Sequence, residues 1–272
     1  MTMWAFLFLS LSLPATLAAQ DRAIPLLISE HHADHLDFFQ RFVHRRDNSG
    51  RDASFTLLVL DAHADTTANE NPQSAGNHSW IHPLNPNTLV WISTINEAPR
   101  RDKLAGFYSS VAQWNRMTRA LALSLRELRY FELYAQAGEK TPGETLFVSV
   151  DLDFFYSEDH RPQDVKPVLD ELFAFSSRWP GRLVWAFCLS RPWLPDDRYA
   201  WALLEQSLGW LASRPEFAPP VIGLFDSSRI DTSLNARAFR AEGRQIPVLR
   251  IEDMPERVRE LLRELLERDA NF

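Results

Sequence analysis

The chain has a single cysteine, Cys188, among its 272 residues. One cysteine excludes an intrachain disulfide and any metal site built from several cysteines. The chain also lacks a run of more than two basic residues, and its formal net charge is −7 at pH 7. Both features argue against binding to nucleic acids or to anionic membranes. The sequence contains neither a G-x-S-x-G nucleophile elbow nor a glycine-rich phosphate loop, which excludes two common classes of enzyme site.

A long uncharged run lies at the N-terminus. Residues Trp4 to Ala19 carry no charge, and the chain becomes polar from Gln20 onward. An apolar core followed by small residues predicts a secretory signal peptide over residues 1–19, and hence an exported, periplasmic or secreted protein. The alternatives are an uncleaved anchor, for which the run is short, and a start codon further downstream. We expect no stable membrane anchor.

Six short apolar runs predict the strands of a sheet. Each run is nearly continuous rather than alternating, which is typical of a strand that helices cover on both faces. No internal repeat or break in composition marks a second domain. We therefore predict one α/β domain over residues 20–272, with three αβα layers and a mainly parallel sheet. The predicted strands are Leu26–Ser29, Phe55–Leu60, Leu89–Ser93, Leu146–Val150, Leu183–Leu189 and Val221–Phe225.

Four helices are predicted from apolar residues at helical spacing. The first carries Leu36, Phe39 and Val43 on one face, and the third carries Val165, Val168, Leu169 and Leu172. The second and longest is predicted from a stripe that runs from Val111 through Leu121 to Leu128, with Gly138 as its C-cap. The last helix is predicted to begin with Asp253 as N-cap and Pro255 in its first turn, in a capping-box pattern.

Carboxylates and histidines follow three of the predicted strands. The first strand is followed by Glu30, His31 and His32, the second by the run from Asp61 to Thr66, and the fourth by Asp151, Leu152 and Asp153. The carboxyl ends of parallel strands form the ligand-binding edge of a sheet, and residues at i and i+2 point the same way. We therefore expect the side chains of Asp61, His63, Asp65, Asp151 and Asp153 to converge.

Four carboxylates at the edge of an apolar sheet need cations to neutralise them. Oxygen ligands with one or two imidazoles suit Mn²⁺ better than thiolate-loving ions, and two ions about 3.5–4 Å apart would activate a shared water. A lone Asp at a strand end is often a helix cap or turn former. A calcium loop would need a glycine at its sixth position, which neither segment has. The same spacing on two strands favours a metal site.

Two segments of the chain resemble the signature motifs of the ureohydrolase superfamily, which includes arginases and agmatinases. They are Leu60 to Thr66 (LDAHADT) and Ser149 to Asp153 (SVDLD). Ureohydrolases have an Asp-Pro pair soon after the second motif, where this chain continues with Phe154 to Tyr156 (FFY). That variant, with Glu30 and His32 after the first strand, is similar to the peptide arginase branch. The resemblance spans roughly Leu26 to Pro192 and implies an arginase/deacetylase-like fold.

The resemblance also implies a role for each matching residue. Asp61 and Asp151 would bridge two metal ions, with Mn²⁺ expected and Zn²⁺ as the alternative. His32 and Asp65 would complete one site, and His63 and Asp153 the other, although the adjacent His31 is an alternative to His32. The stretch Ser74-Ala-Gly-Asn77-His78 is similar to the one with which arginases hold substrate. Ser74 and Asn77 would then bind the substrate, and His78 or His82 would carry the proton.

One position departs from the arginase pattern. Arginases place a glutamate after a late strand to hold the guanidinium, whereas the predicted strand Leu183–Leu189 is followed by Ser190, Arg191 and Pro192. Arg191 would repel a cationic substrate if its side chain pointed inward. The carboxylates that could replace the glutamate are Asp196, Asp197 and Asp226.

The sequence therefore leads to a metal-dependent hydrolase that resembles peptide arginases. Its substrate would be a peptide or small molecule bearing arginine, which it would cleave to ornithine and urea. Two other hypotheses remain open at this point. One is a deacetylase-like amide hydrolase with a single Zn²⁺, which would need Asp61, His63 and one of Asp151 or Asp153. The other is a periplasmic protein that binds a metal or peptide without turnover.

Overall fold

A seven-stranded parallel sheet organises the chain. The computed structural model describes residues 23–42, 55–66, 79–84, 86–93, 101–112, 114, 119–128, 144–156, 165–223 and 254–268. The predicted signal peptide over residues 1–19 lies outside the described residues. Among the helices that the structure describes, none is long and apolar enough to cross a membrane.

The strands lie in the order β4-β3-β2-β5-β6-β1-β7, and every neighbouring pair is parallel. The sheet has a switch point between β2 and β5, because the chain proceeds from β2 towards one edge and from β5 towards the other. The carboxyl ends of strands at such a point form a crevice in which ligands bind. The strands are β1 (Leu26–Ser29), β2 (Phe55–Leu60), β3 (Thr88–Ile92), β4 (Arg119–Leu123), β5 (Thr145–Asp151), β6 (Arg182–Cys188) and β7 (Val221–Gly223).

Helices cover both faces of the sheet, and this confirms the three-layer α/β prediction. The helices are α1 (Asp34–Phe42), α2 (Ile81–Leu84), α3 (Arg101–Val111), α4 (Val165–Ser176), α5 (Asp197–Ala212) and α6 (Glu256–Leu266). Residues of α1, α2 and α3 pack on one face of the sheet, and residues of α4, α5 and α6 pack on the other. The central strands are buried along their whole length, which explains their continuous apolar runs.

The predicted helix from Val111 to Leu128 is wrong. The chain instead forms α3, which ends at Val111, and then strand β4 at the sheet edge, where Leu121 pairs with Val90 of β3. The spacing of Val111, Leu121 and Leu128 fits a helical period, but pairing with β3 overrides that local pattern. The predicted cap at Gly138 lies outside the described residues.

The start of the last helix also differs from the prediction. Pro255 precedes the first helical residue of α6 instead of lying in the first turn, because its ψ of 142° is extended. No side-chain hydrogen bond caps the helix there, and Asp253 lies outside the described residues. Helix α5, which the sequence interpretation missed, begins after Asp196, whose carboxylate accepts a hydrogen bond from the backbone N–H of Tyr199 at 2.7 Å.

Gly181 permits a close approach of two chain segments at the amino ends of β5 and β6. It lies just before β6, where a Cβ atom would clash with the backbone carbonyl of Glu144. A glycine is therefore required for β6 to pair with β5 from its first residue, Arg182 opposite Thr145.

Candidate metal centre

The six predicted metal ligands lie together at the carboxyl edge of the sheet. Asp61 follows β2, Asp151 ends β5, and His32 lies in the turn between β1 and α1. Because β2 and β5 are neighbours at the switch point, their terminal carboxylates face one crevice. His63 and Asp65 continue from β2, and Asp153 lies in a 3₁₀ turn (Leu152–Phe155) that directly follows β5.

The first group of ligands is buried and centred on His32. Its Nδ1 atom lies 2.8 Å from Oδ2 of Asp65, 3.1 Å from Oδ2 of Asp151 and 3.3 Å from Oδ2 of Asp61. His32 therefore contacts three of the predicted carboxylate ligands. The atoms offered by His32, Asp61 and Asp65 all lie within 4.8 Å of one another, close enough to hold a metal ion.

The second group contains Asp61, His63 and Asp153. Nδ1 of His63 donates a hydrogen bond to Oδ2 of Asp153 at 2.9 Å and lies 3.8 Å from Oδ1 of Asp61. The three ligand atoms again lie within 4.8 Å of one another, so this group too could hold an ion. The side chain of His63 is 46% exposed, whereas those of the other five predicted ligands are buried. Asp61 belongs to both groups.

Backbone geometry fixes the directions of these carboxylates. The backbone N–H of His63 donates to Oδ1 of Asp61 at 2.7 Å, and that of Asp153 donates to Oδ1 of Asp151 at 3.0 Å. Asp65 and Ser190 have φ angles of 48°, in the left-handed region that residues other than glycine rarely adopt. Such backbone conformations cluster at functional sites, where the surroundings hold them in place.

The sequence analysis did not identify three residues that contact and support the predicted ligands. The Ser149 hydroxyl lies 2.9 Å from both Nε2 of His32 and Nδ1 of His35, so one hydroxyl joins two buried imidazoles. Ser190 donates from its hydroxyl to Oδ2 of Asp151 at 2.6 Å. Ser149 belongs to the second motif and could have been suspected, whereas nothing local to Ser190 or His35 predicts these contacts.

Burial shifts the pKa values of three carboxyl groups upward. Burial and the charges of Asp65 and Asp151 raise the pKa of Asp61 to about 7. Burial and the charges of Asp151 and Asp61 raise the pKa of Asp153 to about 8, and burial also raises the pKa of Asp65. Asp151 differs, because the charge of His32 and the hydroxyl of Ser190 outweigh burial and lower its pKa.

The imidazoles respond to these carboxylates in opposite ways. The hydrogen bond to Asp153 raises the pKa of His63 to about 9. Burial would lower the pKa of His32, but the charge of Asp151 and the contacts with the carboxylates around it raise the pKa well above its usual value. Burial and the neighbouring charge of His32 lower the pKa of His35, which therefore stays neutral.

The donor set fits divalent cations. Among the described residues, Nδ1 of His32 and Oδ2 of Asp61 are buried and lie 3.3 Å apart, but neither makes a hydrogen bond of good geometry, although buried polar atoms normally do. Both atoms face the other ligands of the first group. Carboxylate oxygens with imidazole nitrogens are the ligands that Mn²⁺ and similar ions accept.

Arg191 is buried beside the site, but its charge is compensated. Its guanidinium donates from Nε to Oε1 of Glu30 at 2.6 Å and lies 3.5 Å from Oδ2 of Asp197. Burial raises the pKa of Glu30, and Arg191 opposes that shift. Of the carboxylates considered as replacements for the arginase glutamate, Asp196 caps α5 and Asp197 contacts Arg191, while Asp226 lies outside the described residues.

Of the predicted proton carriers and substrate-binding residues, His82 alone lies in the part of the chain that the structure describes. Ser74, Asn77 and His78 lie outside the described residues. His82 lies in α2, where its ring packs edge-on against Trp114 at a centroid distance of 5.3 Å. Within the described residues it makes no hydrogen bond or ion pair with a predicted ligand. The roles given to these four residues stay predictions.

Comparison with known proteins adds no assignment. No protein-family model matches the chain, and no curated protein matches it. The relation to ureohydrolases therefore stays a proposal that depends on the two motifs and on the geometry of the residues within them.

Proposed function

We propose that the chain is a two-metal hydrolase of the ureohydrolase type, which cleaves a guanidino C–N bond of free or peptidyl arginine to give ornithine and urea. The observation that carries this proposal is the pair of overlapping His/Asp groups that share Asp61. A carboxylate shared by two ligand groups is the arrangement that a pair of closely spaced ions needs.

The balance of charge supports two ions over one. Four aspartates are gathered in the site, and all four are buried. Two divalent cations would match four carboxylates in charge, whereas a single Zn²⁺ would leave two of them to be neutralised by protons. Buried carboxylates without compensating charge are costly in free energy. Two divalent ions would therefore stabilise the ionised form of all four aspartates better than one ion would. The ligand type favours Mn²⁺, with Zn²⁺ as the alternative.

Asp65 also argues against the deacetylase-like alternative. A single ion held by Asp61, His63 and Asp153 would leave Asp65 without a function in the site. Its carboxylate is nevertheless buried, lies 2.8 Å from Nδ1 of His32 and is held in a left-handed backbone conformation. A residue with that placement fits the role of a ligand of a second ion.

The surrounding residues would give the substrate access to the site and would protonate the departing amine. When bound, divalent ions lower the pKa of water enough to supply a nucleophile at neutral pH. The exposed face of His63 leaves one side of the site open to a substrate, and the Trp193 ring lies 4.8 Å from the His63 ring on that side. A histidine that protonates the departing amine is expected at His78 or His82.

Arg191 need not repel a cationic substrate, because its charge is compensated. An unpaired guanidinium at this place would repel arginine, but Glu30 and Asp197 compensate the charge of Arg191. The net negative charge of the chain also favours the approach of a cation. Export from the cytoplasm stays a prediction from the N-terminal sequence.

Urea release from an arginine-containing peptide is the direct test. The purified chain, stripped of metal and reloaded with Mn²⁺, should release urea and leave ornithine in the peptide, as measured by a urea assay and mass spectrometry. Asp151→Asn should abolish the activity, because it removes a carboxylate from the centre of the site. Asp170→Asn is the matched control, because Asp170 pairs with Lys166 and Arg214 on α4 and after α5 instead.

Other results of these assays would favour one of the alternative hypotheses. Deacetylation of an acetyl-lysine peptide by a chain with about one Zn²⁺ would support the deacetylase-like alternative. Metal binding without hydrolysis of either peptide would support the binding protein. A chain that takes up no metal would contradict the proposal.

A further inference from the structure

Trp80 is a fully buried tryptophan that contacts two predicted ligands of the same ion. It lies just before α2 and is separated in sequence from both His32 and Asp65. Its indole Nε1 donates a hydrogen bond to Oδ2 of Asp65 at 3.0 Å. Its ring lies against the His32 ring, with centroids 4.7 Å apart and planes inclined by 36°.

Further aromatic contacts hold the indole in place. His35 meets the Trp80 ring edge-on at 5.4 Å, and Phe147 of β5 meets it edge-on at 6.3 Å. His35 is itself tied to His32 through the Ser149 hydroxyl. The indole is therefore enclosed by groups that also position His32, and it has little freedom to move away from Asp65.

Asp65 needs an external partner to keep its direction. Its backbone is in the left-handed region, with φ at 48°, an uncommon conformation that surrounding contacts hold in place. Its Oδ2 atom lies in a cluster of other carboxylates, where repulsion would displace it. The Trp80 N–H is a neutral donor that supports this oxygen without adding a charge.

We infer that Trp80 is a positioning residue for the His32/Asp61/Asp65 ion site, where its N–H aims the Asp65 carboxylate and its ring face aligns the His32 imidazole. This inference depends on the metal-binding part of the proposed function and not on the identity of the substrate. Removing a group that orients metal ligands from outside the coordination sphere typically changes metal affinity by about 10–100-fold.

The test compares Trp80→Phe with Trp185→Phe. Both tryptophans are fully buried, but Trp185 lies in β6, and its indole nitrogen has no hydrogen-bond partner among the described residues. Mn²⁺ binding is measured by calorimetric titration and by electron paramagnetic resonance. Trp80→Phe should weaken one of the two ions about 10–100-fold, leave the other within about threefold and reduce the spin coupling between them. Trp185→Phe should bind both ions as the unmodified chain does.

A double-mutant cycle shows whether Trp80 acts through Asp65. In an Asp65→Asn background the weakened first ion is followed by titration with excess Mn²⁺, and there Trp80→Phe should lower its affinity by a clearly smaller factor than in the unmodified chain, since one of the two ligands that Trp80 contacts is already altered. Equal effects of Trp80→Phe in both backgrounds would overturn the inference. So would unchanged affinity and spin coupling in the single variant.

Folding and function are separated by two further measurements. Thermal unfolding of the metal-free variants shows whether they fold. If Trp80→Phe does not, 3-benzothienylalanine at position 80 keeps both fused rings and replaces only the N–H, and the part of the affinity loss that acts through Asp65 is expected. Metal binding by the unmodified chain without urea release would contradict the proposed reaction but leave the inference on Trp80 intact. No metal binding would overturn both.

Discussion

Adding a divalent cation to the metal-free chain should release protons from the site. The pKa of Asp61 is raised to about 7 and that of Asp153 to about 8, with burial as the largest cause for both. The hydrogen bond to Asp153 raises the pKa of His63 to about 9. Near neutral pH these groups therefore carry protons that metal binding must displace, because ligands bind in their deprotonated forms.

The size of the release follows from the three pKa values. At pH 6.5 the three groups together hold about three protons, and at pH 8.5 they hold about one. The number of protons released on binding Mn²⁺ should therefore fall by about two between pH 6.5 and pH 8.5.

Isothermal titration calorimetry in pairs of buffers measures this number directly. At each pH, the difference in binding heat between two buffers with unlike ionisation enthalpies gives the protons released. Asp153→Asn should reduce the release at pH 6.5 by at least about one proton, because it removes the proton of Asp153 and the hydrogen bond that raises the pKa of His63. Asp170→Asn, a change on α4, should leave the release unaltered. Binding heats that do not depend on the buffer at pH 6.5 would refute the reasoning.

Three further predictions concern the same site. Asp65→Asn should lower the metal content, measured by elemental analysis, from about two ions per chain to about one, since the group with His63 remains; an unchanged content would contradict the two-ion assignment. The metal-free chain should melt at a lower temperature at pH 8.5 than at pH 6.5 in scanning calorimetry. The folded-state pKa values of His63 and Asp153 lie above their unfolded values, so the stability linked to their protonated forms is lost as pH rises. Saturating Mn²⁺ should remove this loss of stability at high pH. A melting temperature of the metal-free chain that rises with pH would contradict the prediction. Ser149→Ala should cost about 1–3 kcal/mol in urea denaturation, because two buried imidazoles lose their shared hydroxyl; the exposed Ser177→Ala is the control, and equal effects of the two changes would contradict the assignment.

The class of fold could be predicted because the central strands are covered on both faces. Runs such as Phe55–Leu60 are apolar almost throughout, and a run of that length and composition is typical of a strand in the middle of a parallel sheet. Strand β4 could not be predicted in the same way. It is an edge strand whose side chains are only partly buried, so its sequence retains a helical spacing that pairing with β3 overrides. Helix α5 could have been found, because Ala200, Leu203, Leu204, Leu208 and Leu211 have helical spacing after the capping Asp196.

The convergence of Asp61 and Asp151 could be predicted because both lie at the ends of neighbouring strands, whereas His32 entered the candidate set only through the resemblance to ureohydrolases. The residues that hold those ligands could not be predicted. Trp80 and Ser190 reach Asp65 and Asp151 from segments that are separate in sequence, and no local pattern encodes such contacts. Asp65 illustrates the difference, since its place in the motif predicted a ligand but not the left-handed backbone conformation that needs outside support.

The uneven burial of the site indicates how the proposed substrate would reach it. His32, Asp61 and Asp65 are buried, and Trp80 and His35 pack against the His32 ring, so this group is closed by the protein itself. His63 alone among the predicted ligands is substantially exposed. A substrate would therefore approach past His63 and beside Trp193, whose aromatic face can stack on a planar cation. That contact would not need the carboxylate that arginases place after the late strand, and it makes the absence of a glutamate there compatible with a guanidinium substrate.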